Sequence, residues 1–291
     1  MRIIQRLSSE KPSFSFEFFA PKTDLGRERL THVLDELTEL SPGFISVTCG
    51  ASGSSRQPSL DLMKDLASDR RFLTMAHLTC MGVSESTLRN NLDFLRGLGL
   101  ENILALRGDP PAEEVNACRE KSGPGSAADF VQMIQTGGWN FCIGGAAYPE
   151  THPRAASSEA DLSELKRKVD AGAEFLITQL FFDNALFYDF VRRARAVGIA
   201  VPIIPGIMPI TDAGQVERFR TQCGVALPEK IAENLARIRG NAEAVQEFGT
   251  AYATAQCIDL IAHGFRHIHF FTLNKSPATR AIVTAIRCFA S

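Results

Sequence analysis

Short apolar runs alternate with longer amphipathic segments along the whole chain. Eight of the runs have the length of strands that are buried on both faces, as in a parallel sheet. These runs are residues 14–19, 44–47, 73–77, 102–106, 141–147, 175–180, 202–207 and 268–273. The segments between them show helical spacing; Leu30, Val33, Leu34 and Leu37, for example, form one apolar stripe. The pattern therefore predicts eight strands, each followed by a helix.

Such a chain forms either an open doubly wound sheet or a closed barrel. An open dinucleotide-binding sheet needs a G-x-G-x-x-G turn after its first strand, but residues 19–22 read FAPK. The segment 212–263 is too long for one crossover helix and is broken at Gly224, Pro228 and Gly240. We therefore predict an α/β fold, a (β/α)8 TIM barrel with extra helices between strands 7 and 8, formed by residues 1–291 as one domain.

Composition narrows the function classes. The chain has 291 residues, 45% hydrophobic and 22% charged, with 31 Lys+Arg against 33 Asp+Glu. These values are typical of a globular protein and disfavour disordered, collagen-like and coiled-coil chains. A near-neutral charge predicts no nucleic-acid partner. The chain has seven cysteines but no C-x-x-C pair, which predicts a protein with reduced thiols. It has no secretory signal, and no apolar run approaches the roughly 20 residues that span a bilayer. We therefore predict a cytoplasmic protein without a membrane partner.

Polar residues interrupt the apolar runs near their carboxyl ends, where barrel active sites lie. Glu17, His77 and Gln179 are the clearest cases. Strand alternation places Glu17 opposite the phenylalanines of its run, and therefore in the barrel lumen. We expect burial among apolar neighbours to raise the pKa of Glu17, which suits a general acid. The alternative is a buried ion pair with Lys or Arg.

Two other sequence features are compatible with a ligand or metal site but indicate it less specifically. Gly108 allows a ligand to approach the backbone and Arg107 can neutralise a phosphate, but Arg107-Gly108-Asp109 is equally suited to an ordinary turn. His267 and His269 share a strand face. No carboxylate or thiol joins them at ligand spacing, so hydrogen-bonded structural histidines are favoured over a metal site, and no metal is predicted.

Taken together, the motifs resemble the methylenetetrahydrofolate reductase family, and they occur in family order over nearly the whole chain. The matching strings are SFEFFAPK (15–22), SVTCGA (46–51), AHLTC (76–80), ALRGD (105–109), AAYPETHP (146–153), DLSELKRKVDAGA (161–173), ITQLFFD (177–183), IIPGIMP (203–209) and FTLNK (271–275).

This resemblance implies a flavin-dependent oxidoreductase of one-carbon metabolism and methionine synthesis. NADH or NADPH would reduce bound FAD and leave, and 5,10-methylenetetrahydrofolate would then be reduced to 5-methyltetrahydrofolate at the same flavin face. Glu17 would be the general acid, and Asp109 would lie near the flavin and the pterin. The resemblance also allows a homo-oligomer.

The resemblance also implies the binding residues. The FAD contacts would be Thr48, Ala51, His77, Arg107, Gly108, Asp109, Tyr148, His152, Asp161, Arg167 and Lys168. The folate contacts would be Glu17, Asp109, Gln179, Gln215, Phe219 and Lys275. The chain departs from the family pattern at Cys49, where an aromatic residue is common, and at Glu164, where some members have an amide.

Two alternatives remain at this stage. One is a flavin- and folate-binding subunit that takes electrons from a partner protein, because nothing in the chain matches a nicotinamide fingerprint. The other is a metal-dependent lyase on the same barrel, because a fold does not determine chemistry.

Overall fold

The structure, a computed structural model, describes residues 1–8, 12–48, 56–69, 71–108 and 123–289. Eight parallel strands close into a barrel in the order β1 to β8, with β8 paired to β1. The predicted (β/α)8 barrel is confirmed. The strands are β1 (Ser13–Phe19), β2 (Phe44–Thr48), β3 (Thr74–Thr79), β4 (Asn102–Leu106), β5 (Cys142–Ala147), β6 (Phe175–Leu180), β7 (Ile203–Ile207) and β8 (His267–Phe271).

Helices follow the strands, and three of them separate β7 from β8. The helices are α1 (Ile3–Leu7), α2 (Asp24–Thr38), α3 (Arg56–Ser68), α4 (Glu85–Gly97), α5 (Ala127–Thr136), α6 (Ser158–Asp170), α7 (Asn184–Ala196), α8 (Ala213–Cys223), α9 (Glu229–Ile238), α10 (Ala242–Ala262) and α11 (Pro277–Ile286). The predicted breaks are confirmed: Gly224 ends α8 in the left-handed conformation, and Pro228 precedes α9. Of the helices in the described ranges, none is long and apolar enough to cross a membrane.

The two faces of each strand serve different cores. Phe16 and Phe18 point outward and pack with the leucines of the surrounding helices. The alternate residues point inward, where Phe44, Met75 and Phe175 are among the residues that fill the lower lumen. Strand alternation in this way separates a helix-facing shell from a packed interior.

The short helix α1 closes the amino-terminal end of the barrel. Ile3 is fully buried in the lumen cluster, together with Leu7. The Ile3 amide donates to the Asn102 side-chain oxygen at 2.7 Å, which docks α1 against β4. Among the residues that the structure describes, the lumen is therefore filled at its amino-terminal end, and the cavity lies at the carboxyl ends of the strands.

The long helix α10 contacts the loop after β7 through Gly249. A Cβ at Gly249 would lie 1.8 Å from the Ile210 carbonyl oxygen, so helix and loop backbones touch there. This contact fixes the loop that leads from β7 to α8, next to the cavity-lining Met208.

We expect Gly249→Ala to lower the free energy of unfolding by about 1–3 kcal/mol, because the added methyl group forces the α10 backbone away from Ile210. Gly97→Ala is the matched control, since Gly97 lies at the end of α4 with nothing near its Cβ position. Urea denaturation of both variants measures the difference. Equal stability of the two variants would contradict the close contact.

Candidate active site

A cavity of about 720 Å³ opens at the carboxyl ends of the strands. Barrel enzymes bind their substrates at this end. Eleven of the residues that the sequence analysis assigned to the site line it: Glu17, Thr48, His77, Arg107, Gly108, Tyr148, His152, Asp161, Lys168, Gln179 and Phe219. Residues far apart in sequence therefore share one chamber with an apolar floor formed by Leu104, Leu106 and Ile177.

Glu17 lies at the bottom of this cavity, in the lumen, between two histidines. Its carboxylate Oε2 is 3.5 Å from Nε2 of His269 and 3.8 Å from Nε2 of His77. Both imidazoles are buried, whereas the Glu17 side chain is 20% exposed toward the cavity. The carboxyl group thus has ionisable partners behind it and ligand space in front of it.

The expected rise in the pKa of Glu17 is wrong. Burial does raise it, and is the largest single influence, but the hydrogen bond from His269 and the electrostatic interactions with His77 and His269 together outweigh burial and lower the pKa below its ordinary value. Burial in turn lowers the pKa of His77 to about 4. The prediction assumed apolar neighbours, whereas barrel closure supplies two imidazoles.

The end of β1 that carries Glu17 is tethered to the segment after β8. The Thr272 hydroxyl donates to the Glu17 carbonyl oxygen at 2.6 Å. The Asn274 side chain accepts from the Phe19 amide at 3.0 Å and donates to the Phe19 carbonyl oxygen at 2.8 Å. These bonds extend the β8–β1 pairing beyond the strands and hold Glu17 in position.

Gln179 enters the cavity at an irregularity of the sheet. The β6–β7 register shifts between Ile177 and Leu180, and the Thr178 hydroxyl accepts from the Gly206 amide at 2.9 Å. Such bulges redirect side chains near active sites. The Gln179 side-chain oxygen accepts from the Leu180 amide at 2.9 Å, which fixes the orientation of its amide group.

Lys168 crosses the wall of the cavity from α6. Its Nζ donates to the Ala146 carbonyl oxygen at 2.5 Å, and its stem lies against Gly145, where a Cβ would come within 2.6 Å of Lys168 Cδ. Burial lowers the pKa of Lys168 to about 8, against the opposing charges of Asp161 and Glu164. The lysine is therefore a cation at neutral pH that loses its proton near pH 8.

The loop after β5 forms the adjoining rim. The Tyr148 and His152 rings meet edge to face with centroids 4.5 Å apart, and Asp161 accepts from the His152 amide at 2.8 Å. Thr151, which precedes His152 in the chain, has φ +90°, a strained conformation for a β-branched residue. Strain of this kind is concentrated at ligand sites.

Two cavity-lining arginines were missed by the sequence analysis. Arg154 lies on the β5–α6 loop, and Arg193 of α7 donates to the Ser158 hydroxyl at 2.5 Å, at the start of α6. Arg154 directly follows a family string and could have been found from it. Arg193 had no signal, because its spacing from Asp189 is typical of a surface ion pair.

Three predicted residues lie outside this cavity. Arg167 is exposed and paired with Glu164 and Asp129, and Gln215 is buried beside Met208. Lys275 lines a separate cavity of about 340 Å³, together with Arg29 and His32 among others. The predicted residues Ala51 and Asp109, and the departure at Cys49, lie outside the described part of the chain.

The paired histidines of β8 have hydrogen-bonding roles, as favoured from sequence. His267 Nδ1 and His269 Nδ1 each lie 2.8 Å from a serine hydroxyl of β1, Ser13 and Ser15 respectively. Within the described ranges, no group of three or more His, Cys, Asp or Glu residues has the geometry to hold a metal ion.

Comparison with known proteins agrees with these motifs. The family model described as methylenetetrahydrofolate reductase matches residues 2–287. The chain belongs to this family. It is 37% identical to the 5,10-methylenetetrahydrofolate reductase of Escherichia coli, over 92% of this chain and 88% of that protein. It is also 37% identical to methylenetetrahydrofolate reductase (NADH) 1 of Arabidopsis thaliana, over 97% of this chain but 50% of that protein.

The chain thus spans about half the length of the plant reductases that it matches. Among solved structures, it resembles a Clostridium thermocellum protein that binds two copies of 5-methyl-5,6,7,8-tetrahydrofolic acid, with a TM-score of 0.64 and 98% of both chains covered. At 13% identity this likeness concerns the fold alone.

Proposed function

We propose that this member of the methylenetetrahydrofolate reductase family reduces 5,10-methylenetetrahydrofolate to 5-methyltetrahydrofolate with electrons from NADH or NADPH carried by FAD. The observation that carries the proposal is the position of Glu17, at the bottom of a cavity whose lining includes the apolar residues Leu104 and Ile177 and several cationic side chains. Ring opening of the folate requires a proton donor below the bound ligand. Because the pKa of Glu17 is lowered in the ligand-free protein, Glu17 would gain this proton when a bound ligand displaces water from the cavity and strengthens the effect of burial.

The residues of the cavity fit FAD. Its walls carry the cationic groups of Arg107, Lys168 and Arg193, which suit a pyrophosphate. Gly108 has φ +79°, and a Cβ there would lie 2.8 Å from Thr79 Cβ, so only glycine allows this close packing at the cavity wall. Tyr148 and His152 supply rings on the neighbouring part of the rim, after β5. These residues would hold the dinucleotide.

Bound FAD would supply a hydride carrier that the protein side chains lack. The protein would bind, orient and protonate. Glu17 would give its proton to the folate nitrogen whose C–N bond breaks, which leaves a cationic iminium carbon ready to accept hydride. Gln179, oriented by the Leu180 amide, would bind the amide edge of the pterin or of the nicotinamide. The two ligands would use one face in turn, a ping-pong scheme.

The test is a visible spectrum of the purified protein in one anaerobic cuvette. We expect a flavin spectrum that bleaches on addition of NADH or NADPH and returns on addition of 5,10-methylenetetrahydrofolate. Bleaching by a chemical reductant but by neither nicotinamide would favour a protein electron donor. A protein that cannot be loaded with FAD would refute the proposal.

Binding of FAD is expected to weaken as the pH rises through the pKa of Lys168. That pKa is about 8, so the lysine is a cation below this pH and neutral above it. A charge-assisted hydrogen bond contributes about 1.5–3 kcal/mol, so we expect about a tenfold or greater loss of affinity from about pH 7 to about pH 9. Fluorescence titration of the FAD-free protein measures this change.

Lys168→Met is expected to bind FAD weakly at both pH values and to lose the pH dependence. Lys166→Met is the matched control, because Lys166 lies two residues away on α6 and pairs with Asp170 on the surface. A pH dependence that persists in Lys168→Met would assign it to another group.

A further inference from the structure

His269 lies directly behind Glu17 and is completely buried in the lumen. Its Nε2 is 3.5 Å from the Glu17 carboxylate, and its Nδ1 is 2.8 Å from the Ser15 hydroxyl. The imidazole stacks on Phe44 at an interplanar angle of 15° and meets the edge of Phe271 at 87°. The contacts with Ser15, Phe44 and Phe271 therefore hold the ring with Nε2 directed at the carboxyl group.

The hydrogen-bonding capacities of the three groups determine which ring nitrogen carries the proton. An ionised carboxylate only accepts, whereas a serine hydroxyl both donates and accepts. All three are satisfied when the Ser15 hydroxyl donates to Nδ1 and the Nε2–H of His269 donates to Glu17. The 3.5 Å separation is long for such a bond, but catalytic hydrogen bonds often shorten when the substrate binds.

We propose, on the basis of the folate reduction proposed above, that His269 is the positioning residue of the Glu17 acid and donates its Nε2–H to the carboxylate that remains after proton transfer. In this step the O–H bond of Glu17 breaks and an N–H bond forms on the folate nitrogen. The electron pair of the broken bond stays on the carboxylate, and His269 keeps its own proton. The imidazole thus stabilises the product of the proton transfer.

The surroundings of Glu17 explain why such a donor is needed. Among the residues that the structure describes, the ionisable groups facing the carboxyl are His269 from β8 and His77 from β3, while β2 contributes the Ser46 hydroxyl. Burial alone would disfavour the carboxylate that Glu17 becomes when it gives up its proton. The bond from His269 opposes burial and stabilises that carboxylate.

Two substitutions of His269 distinguish its contact with Glu17 from its contact with Ser15. Asn is too short to reach Glu17 but keeps a polar partner for Ser15, whereas Gln places an amide N–H near the position of Nε2. We expect His269→Asn to slow the folate half-reaction by about 10- to 100-fold, the loss of one charge-assisted hydrogen bond. The pH at which the rate of the folate half-reaction decreases on the alkaline side should be higher in this variant, because the pKa of Glu17 rises when the hydrogen bond from His269 is lost. His269→Gln should recover part of the rate.

Reduction of FAD by NADH serves as the internal reference, since it needs no acid. Stopped-flow measurement of both half-reactions over pH is the experiment. Equal losses in the two half-reactions, or an unchanged pH profile of folate reduction, would overturn the positioning role. A wild-type protein that is reduced by NADH but not reoxidised by the folate would refute the proposed function instead.

A titration without turnover tests the pair independently of the reaction. The ¹³C resonance of the Glu17 carboxyl, assigned by its loss in Glu17→Gln, should titrate at higher pH in His269→Asn than in the wild type. If the His269→Asn variant does not fold, Ser15→Ala, which removes only the hydroxyl oxygen bonded to Nδ1, is used instead. We expect it to shift the titration midpoint of Glu17 in the same direction but by less. Unchanged midpoints in both variants would refute the pairing.

Discussion

Glu17→Gln is expected to slow reduction of 5,10-methylenetetrahydrofolate by about 10²- to 10⁴-fold, the usual contribution of a general acid. Glutamine has nearly the same shape and fills the same place between His77 and His269, but it has no proton to give. The loss should therefore appear in the chemical step rather than in binding. Single-turnover oxidation of the pre-reduced enzyme by the folate measures it.

The same variant contains its own control. FAD binding and reduction by NADH need no proton from Glu17 and should stay near wild-type values. Glu85→Gln, a surface change on α4 that removes a salt bridge to Arg89, controls for the exchange of carboxyl for amide. If both half-reactions of Glu17→Gln fell to the same extent, Glu17 would have a structural role and not that of the acid.

Ile3→Ala is expected to lower the free energy of unfolding by about 2–5 kcal/mol, the range for truncating a fully buried aliphatic side chain. Ile3 fills the amino-terminal end of the lumen, against a cluster that includes Phe44 and Phe175. Phe44 also stacks on His269, so this cluster adjoins the residues behind the proposed acid. Denaturant unfolding with and without FAD measures the loss.

Leu25→Ala is the comparison for this stability change. Leu25 lies in the first turn of α2 with 56% of its surface exposed, and its truncation should change stability by less than about 0.5 kcal/mol. Similar losses in the two variants would mean that α1 does not support the barrel. A large decrease in the free energy of unfolding in Ile3→Ala alone would show that packing of α1 into the lumen stabilises the barrel.

Much of the fold could be predicted from the sequence because its signals are local. The periods of strand and helix belong to successive residues, and Gly224 and Pro228 end and start helices through their own backbone properties. The helix α1 was missed because five residues are too few to show a period. Its sequence becomes informative only once a barrel end exists for Ile3 and Leu7 to close.

The features of the site also divide into those that the local sequence predicts and those that depend on tertiary structure. Alternation along residues 13–19 was enough to place Glu17 in the lumen. The protonation of Glu17 was not predictable, because His269 lies 252 residues away and reaches the carboxyl only when β8 pairs with β1. Likewise the lowered pKa of Lys168 depends on its burial against β5, and the position of Lys275 in a second cavity depends on the turn after β8.

The sequence by itself thus determined the alternation of strands and helices, the helix breaks before β8 and the inward direction of Glu17, since each depends on neighbouring residues. Closure of the barrel decided the acid strength of Glu17, the partner of Lys168 and the separation of Arg167 from the cavity. The physical reason is that burial and Coulomb interactions depend on distances in space, and these are set by the pairing of strands remote in the chain.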